Sequence, residues 1–229
     1  MAIINLKNEH VKPFALGITG LFFCLAGFYF IPVGMPHKIA LPLIALAFAA
    51  LWLCPWQMCL ALFCSAAGDF MGSAGSFVGQ MGFFALAHVW MIWFFVVRYF
   101  EKVERDRRLS GKAKGYTAMI LLCAGVLLIV AFTRVAPSAP AGIVRIGVSV
   151  YAVIICAMLV LALLQRSSLY ALGAVLFVFS DFILAWNMFV GKIPHAGLLI
   201  MIPYFIGQWL LFIRSTPFRV GPEMRLMRF

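Results

Sequence analysis

Between Phe14 and Arg214 the chain is a near-unbroken succession of apolar runs separated by short breaks rich in proline, glycine and basic residues. A helix crossing the hydrocarbon core of a bilayer needs about 20 apolar residues, so a chain of 229 residues holds about eight such spans with short connections. Little sequence is then left for a domain outside the membrane. Composition agrees, because 65% of the residues are hydrophobic and 11% are charged, against roughly 45–50% and about 25% in a soluble domain. An ordinary soluble globule is excluded. So is disorder, since apolar surface far outweighs the polar groups that keep a chain solvated. The expected fold is all-α: one integral-membrane domain, residues 1–229, folded as a polytopic helix bundle.

The breaks place the spans at about 14–33, 39–54, 57–72, 75–98, 115–134, 143–164, 169–190 and 196–214. Gly34 to Lys38 separates the first two, Pro55-Trp56 the next, and Ala136-Pro137-Ser138-Ala139-Pro140 is a turn-rich loop before the sixth. Residues 34–56 also read as a shorter, irregular hairpin.

The net charge is +11. In a soluble protein that excess would point to nucleic acid, but no basic segment interleaved with aromatics is long enough to bind it, and no nucleic-acid partner is expected. The basic residues instead sit at the ends of apolar runs. Lys38, Arg134, Arg145 and Lys192 fall on one side of the expected topology, and the other 14 of the 18 Lys and Arg residues on the side of the termini. The positive-inside bias then puts both termini in the cytoplasm. That arrangement needs an even number of spans. The expected location is the bacterial inner membrane, with no cleavable signal peptide, because the first apolar run is long and lacks a small-residue cleavage site. Cys24, Cys54, Cys59, Cys64, Cys123 and Cys156 lie in or at the edge of apolar runs. They read as small buried hydrophobes rather than a disulfide framework.

Polar residues at bilayer depth are costly and mark sites. Of seven acids, Glu9, Glu101, Glu104, Asp106 and Glu223 lie outside the spans, and only Asp69 and Asp181 lie inside. Each is 12 residues into its span, about 18 Å at a rise of 1.5 Å per residue, just past the middle of the membrane. His88 and Tyr204 are each 10 residues from a basic helix end, about 15 Å deep, and Gln208 lies one turn from Tyr204 on the same face. Ser180 adjoins Asp181, and Gly173, Ser180 and Asn187 form one stripe of the seventh span, with Asn187 reaching toward the site. A network that merely held the bundle together would use Ser or Asn at lower cost, so the aspartates point to function.

Other features have structural readings. Gly75, Gly79 and Gly82 at helical spacing suggest a close-packing face. Arg145 snorkels to the interface or meets a lipid phosphate. Gly68-Asp69-Phe70 and Ser180-Asp181-Phe182 hint at two parallel four-span repeats.

Two carboxyls close together in a low dielectric do not both ionise, so they offer one proton donor and one acceptor near neutral pH. That suits acid–base hydrolysis without a cofactor. Metal is disfavoured, because His10, His37 and His195 lie at ends or in loops and only His88 lies at depth. An intramembrane aspartyl protease also pairs two aspartates, but Ala66-Ala67-Gly68 precedes Asp69 in place of G-x-G. A proton-coupled lipid or small-molecule transporter, using the same aspartates, is the alternative from another class.

At these residues the chain resembles the YhhN-like lysoplasmalogenase family. One block is Ser65-Ala66-Ala67-Gly68-Asp69 with Phe77, Gly79, Phe84 and His88. The other is Gly173-Ala174-Val175-Leu176-Phe177 with Ser180-Asp181, followed by Tyr204 and Gln208 in a Y-x-x-x-Q pattern. Met91 departs from the pattern, standing where an aromatic is expected. The resemblance implies a membrane hydrolase that cleaves the vinyl ether of a lysoplasmalogen, a lysophospholipid, to a fatty aldehyde and a glycerophospho-base. Asp69 and Asp181 would be the catalytic pair. His88, Tyr204, Gln208, Ser180 and Asn187 would orient substrate or water. No cofactor is expected, and the partners are the substrate and membrane lipids.

Overall fold

The computed structural model describes residues 8–105 and 111–216. These form helices and connections, with no strand among the described residues. The main helices are α1 (Asn8–Tyr29), α2 (Leu41–Leu53), α3 (Trp56–Ser73), α4 (Phe77–Arg105), α5 (Gly111–Val130), α6 (Ile143–Leu164), α7 (Ser168–Phe189) and α8 (Ala196–Ser215). A 3-10 turn, Lys38–Ala40, leads into α2, and α5 continues through a π-helical turn, Ala131–Val135, and one α turn, Ala136–Ser138.

Among the described residues, five stretches are long and apolar enough to cross a membrane: Phe77–Glu101, Thr117–Ser138, Ile143–Leu164, Ser168–Phe189 and Ala196–Ser215. Pro13–Tyr29 and Lys38–Leu53 are apolar but shorter. Large apolar side chains such as Leu122, Ile129, Ile143 and Ile146 point outward, which suits hydrocarbon and not water. The chain is an integral membrane protein.

Helices α3, α6, α7 and α8 end within a residue of the expected spans. The first span, expected at 14–33, is shifted toward the N-terminus: α1 starts before Pro13, runs through it and stops at Tyr29. Ile31 precedes Pro32, and a residue before proline is pushed out of the helical region. The second, expected at 39–54, is a helix of only 13 residues, about 20 Å long. With the turns and bends of residues 30–37, this resembles the irregular hairpin reading. The fourth starts at Phe77 because Gly75 takes a left-handed turn, φ 82°. Gly75, Gly79 and Gly82 therefore make no common packing face, and a side chain at Gly82 would meet open space.

Close approach occurs at other glycines. A Cβ on Gly207 would lie 2.9 Å from the Gly173 carbonyl, and one on Gly173 would lie 3.1 Å from the Gly207 carbonyl, so α7 and α8 touch backbone to backbone. A Cβ on Gly68 would lie 3.3 Å from the Phe84 ring, which seats α3 on α4. Small residues allow such contacts where the hydrophobic effect does not drive helices together. These two pairs carry Asp69 and Asp181. Between them lies a core that includes Leu43, Leu46, Met58, Leu62, Met91, Phe95 and Phe177.

The two ends of the bundle differ. At one end His37 Nδ1 lies 2.7 Å from Ser73 Oγ, and the rings of Phe77 and Phe189 are 5.4 Å apart. The α1–α2, α3–α4 and α7–α8 connections gather there. At the other end Gln165 Nε2 donates to the Phe95 carbonyl at 2.8 Å, and Arg214 Nε donates to Ser167 Oγ at 3.1 Å. Asp181 stands just past the middle of α7. Asp69 stands one turn before the end of α3 at Ser73. Arg145 turns back on its own loop, donating to the carbonyls of Pro137 at 3.2 Å and Ala139 at 3.0 Å.

Candidate active site

Five helices bring polar side chains into the interior: Ser65 and Asp69 from α3, His88 from α4, Tyr151 from α6, Ser180 and Asp181 from α7, Tyr204 and Gln208 from α8. All are buried except Tyr151, which is half-buried. Buried carboxyls are costly unless they are hydrogen-bonded, and each has a tyrosine. Tyr204 Oη donates to Asp69 Oδ2 at 2.9 Å. Tyr151 Oη donates to Asp181 Oδ2. One turn from the first contact, Gln208 Nε2 donates to Ser65 Oγ at 3.1 Å. The Y-x-x-x-Q spacing of α8 thus matches the Ser-x-x-x-Asp spacing of α3, residue against residue across two antiparallel helices. The two carboxyls share no hydrogen bond, and each is held by its own tyrosine.

His88 Nδ1 lies 2.6 Å from the Phe84 carbonyl. A carbonyl only accepts, so Nδ1 carries the proton and Nε2 carries a lone pair. Nε2 is buried without a partner, as is Gln208 Oε1. Two unpartnered buried acceptors are exceptions to the rule that buried polar atoms are satisfied. The His88 ring packs edge-on against Tyr151 at 5.5 Å and Phe177 at 4.7 Å.

A partly open crevice runs between α4, α6 and α7, its roughly 420 Å³ including space open to the outside. Phe77, Met81, Phe84, Val148, Leu184 and Phe189 give it apolar walls, and Asp181 and Tyr151 stand among them. Asp69 does not line it. Phe84 does, and its ring lies 5.9 Å from that of Tyr204, which holds Asp69. The crevice therefore reaches one carboxyl directly and the other only past an aromatic ring.

Of the residues singled out in the sequence, Asp69 is bonded to Tyr204, Gln208 lies one turn away, and His88 packs on the tyrosine of Asp181. Ser180 is buried next to Asp181 in the chain. Asn187 sits apart: its Oδ1 accepts from the Ile193 N–H at 2.9 Å and holds the α7–α8 loop. Sequence reasoning passed over Tyr151, which looks like one more aromatic in an apolar run. Its depth was a usable signal, because Tyr151 is eight residues from the start of α6 and Asp181 is eight from the end of α7. Among the described residues, no three of His, Cys, Asp or Glu gather as a metal ligand set.

Lysoplasmalogenase TMEM86B of Homo sapiens is 34% identical over 152 residues, 66% of this chain and 59% of the human protein. Lysoplasmalogenase TMEM86B of Rattus norvegicus is 33% identical over 158 residues, 68% of this chain and 60% of the rat protein. The chain thus spans about three fifths of the length of these relatives. No solved structure matches it. Residues 33–215, which include all the polar residues of the site, match the YhhN family, and the chain belongs to that family.

Proposed function

We propose that this protein hydrolyses the vinyl ether bond of a lysoplasmalogen by aspartate acid–base catalysis. The observation that carries the reading is an apolar crevice with a tyrosine-bonded carboxyl, Asp181, in its wall and a second carboxyl, Asp69, behind Phe84. Similarity to proteins named lysoplasmalogenase supports the choice of bond. The crevice would hold the alkenyl chain. Asp181, the carboxyl that meets the crevice, would protonate the β carbon of the vinyl ether, leaving an oxocarbenium ion. Asp69 would stabilise the cation. The free lone pair of His88 Nε2 would take a proton from water as it adds. The hemiacetal then collapses to aldehyde and alcohol as the proton on His88 passes to the departing glycerol oxygen and the hemiacetal hydroxyl proton returns to Asp181, so one water is consumed and no cofactor is needed. Tyr204 and Gln208 would fix Asp69 and α3, Tyr151 would fix Asp181, and Ser180 would orient substrate or water. Asn187 would act through the α7–α8 loop.

The proposed setting is a single domain of eight membrane helices with both termini in the cytoplasm of a bacterium. The 14-to-4 division of basic residues supports it. The crevice would then open toward the outer leaflet. The test is release of fatty aldehyde from a 1-alkenyl lysophospholipid by the detergent-purified protein. Aldehyde and glycerophospho-base in equal amounts are expected. Well-folded protein that releases none would overturn the assignment, and flux of unaltered substrate into proteoliposomes would identify a transporter instead.

A further inference from the structure

A second polar cluster lies at the end of the bundle away from the crevice. Arg98 of α4 and Arg214 of α8 converge on Tyr170 of α7, with guanidinium carbons 5.8 Å and 5.2 Å from its ring centre. Arg98 also lies 5.4 Å from the centre of Phe94. Tyr170 is itself fixed, 1% exposed, with its hydroxyl donating to the Arg214 carbonyl at 3.3 Å. A guanidinium carries five N–H donors. Arg214 places one on Ser167 Oγ, and Arg98 Nε is buried with no acceptor at all. Among the described residues no carboxylate pairs with either arginine.

Stacking on a ring offsets only part of the cost of such a charge. It leaves the N–H donors unsatisfied, and two cations on one ring repel. A single anion with several oxygens would answer all three deficits. Phosphate has that geometry, and arginine forks match it. Basic pockets between membrane helices are the usual seat for anionic headgroups.

We propose that Arg98, Arg214 and Ser167 form a phosphate-binding seat, built between α4, α7 and α8 and separate from the aspartate site. Its ligand is a phosphate group, carried by an anionic lipid headgroup or free in solution. Arginine footprinting of the detergent-purified wild-type protein tests this without any substitution. Phenylglyoxal is added with dihexanoyl phosphatidylglycerol, dihexanoyl phosphatidylcholine or inorganic phosphate, and each arginine is read by mass spectrometry. Phosphatidylglycerol is expected to slow labelling of Arg98 and Arg214 by about tenfold, as for a lost charge-assisted contact, and to leave the exposed Arg166 unchanged. Protection by inorganic phosphate as well assigns the seat to phosphate in general, and protection by phosphatidylglycerol alone assigns it to lipid. Equal protection by phosphatidylcholine and phosphatidylglycerol, equal protection of Arg166, or no protection at Arg98 and Arg214 overturns the proposal.

Discussion

Tyr151 decides how Asp181 is presented. It is the carboxyl's hydrogen-bond donor, it touches the His88 ring, and it lines the crevice. A hydrogen bond to a charged group is worth about 1.5–3 kcal/mol, or about ten- to a hundredfold in rate. Tyr151→Phe should lower kcat by about that factor and leave KM nearly unchanged. Its thermal midpoint should move little, since hydrogen bonds inside membranes average about 0.6 kcal/mol in stability. A parallel collapse of folding would show that Tyr151 only packs. Asp69, His88, Tyr204 and Gln208 were legible in the sequence because depth along a span is simple counting and polar residues there are rare. Tyr151 was not, because an aromatic in an apolar run carries no sign of what its hydroxyl meets. Asn187 was placed on the wrong contact for a related reason. Helical periodicity gives its face, but not that the next loop brings a bare N–H within reach.

Helix pairs set the distance between the two aspartate helices, and glycines set the pairs. Gly207→Val would push a side chain into the Gly173 carbonyl. Overpacking of this kind costs about 1–3 kcal/mol, so the thermal midpoint in detergent should fall clearly. Gly125→Ala, where a side chain meets open space on α5, should be neutral or stabilising by up to about 1 kcal/mol. Equal effects from the two changes would contradict a close α7–α8 crossing. The extent of α6, α7 and α8 followed from runs bounded by clear breaks. The course of α1 did not, because Pro13 is tolerated near the start of a helix while Pro32 governs its end. The glycine face was misread because spacing alone does not tell a turn glycine, Gly75, from a packing one.

At the scale of the whole molecule the crevice and the arginine cluster lie at opposite ends. In the proposed orientation the former faces the outer leaflet and the latter the cytoplasm. In a cysteine-free background, Lys192→Cys should react with an impermeant maleimide in intact cells. Arg166→Cys should react only after permeabilisation. The reverse pattern would invert the topology, and labelling of both from one side would break it. The bundle as a whole was foreseeable from composition, since few other folds satisfy so much apolar sequence. What composition could not reveal is that α2 is short.

The most direct test of the central claim compares aldehyde release by the wild type, Asp181→Asn and Asp69→Asn at matched folded protein. Asparagine keeps the size and hydrogen-bonding capacity of the side chain but neither transfers a proton nor stabilises a cation by charge. Each variant should retain the wild-type thermal midpoint closely and lose about 10²–10⁴-fold in kcat. Aldehyde release at near wild-type rates by either folded variant would contradict a mechanism built on two carboxyls.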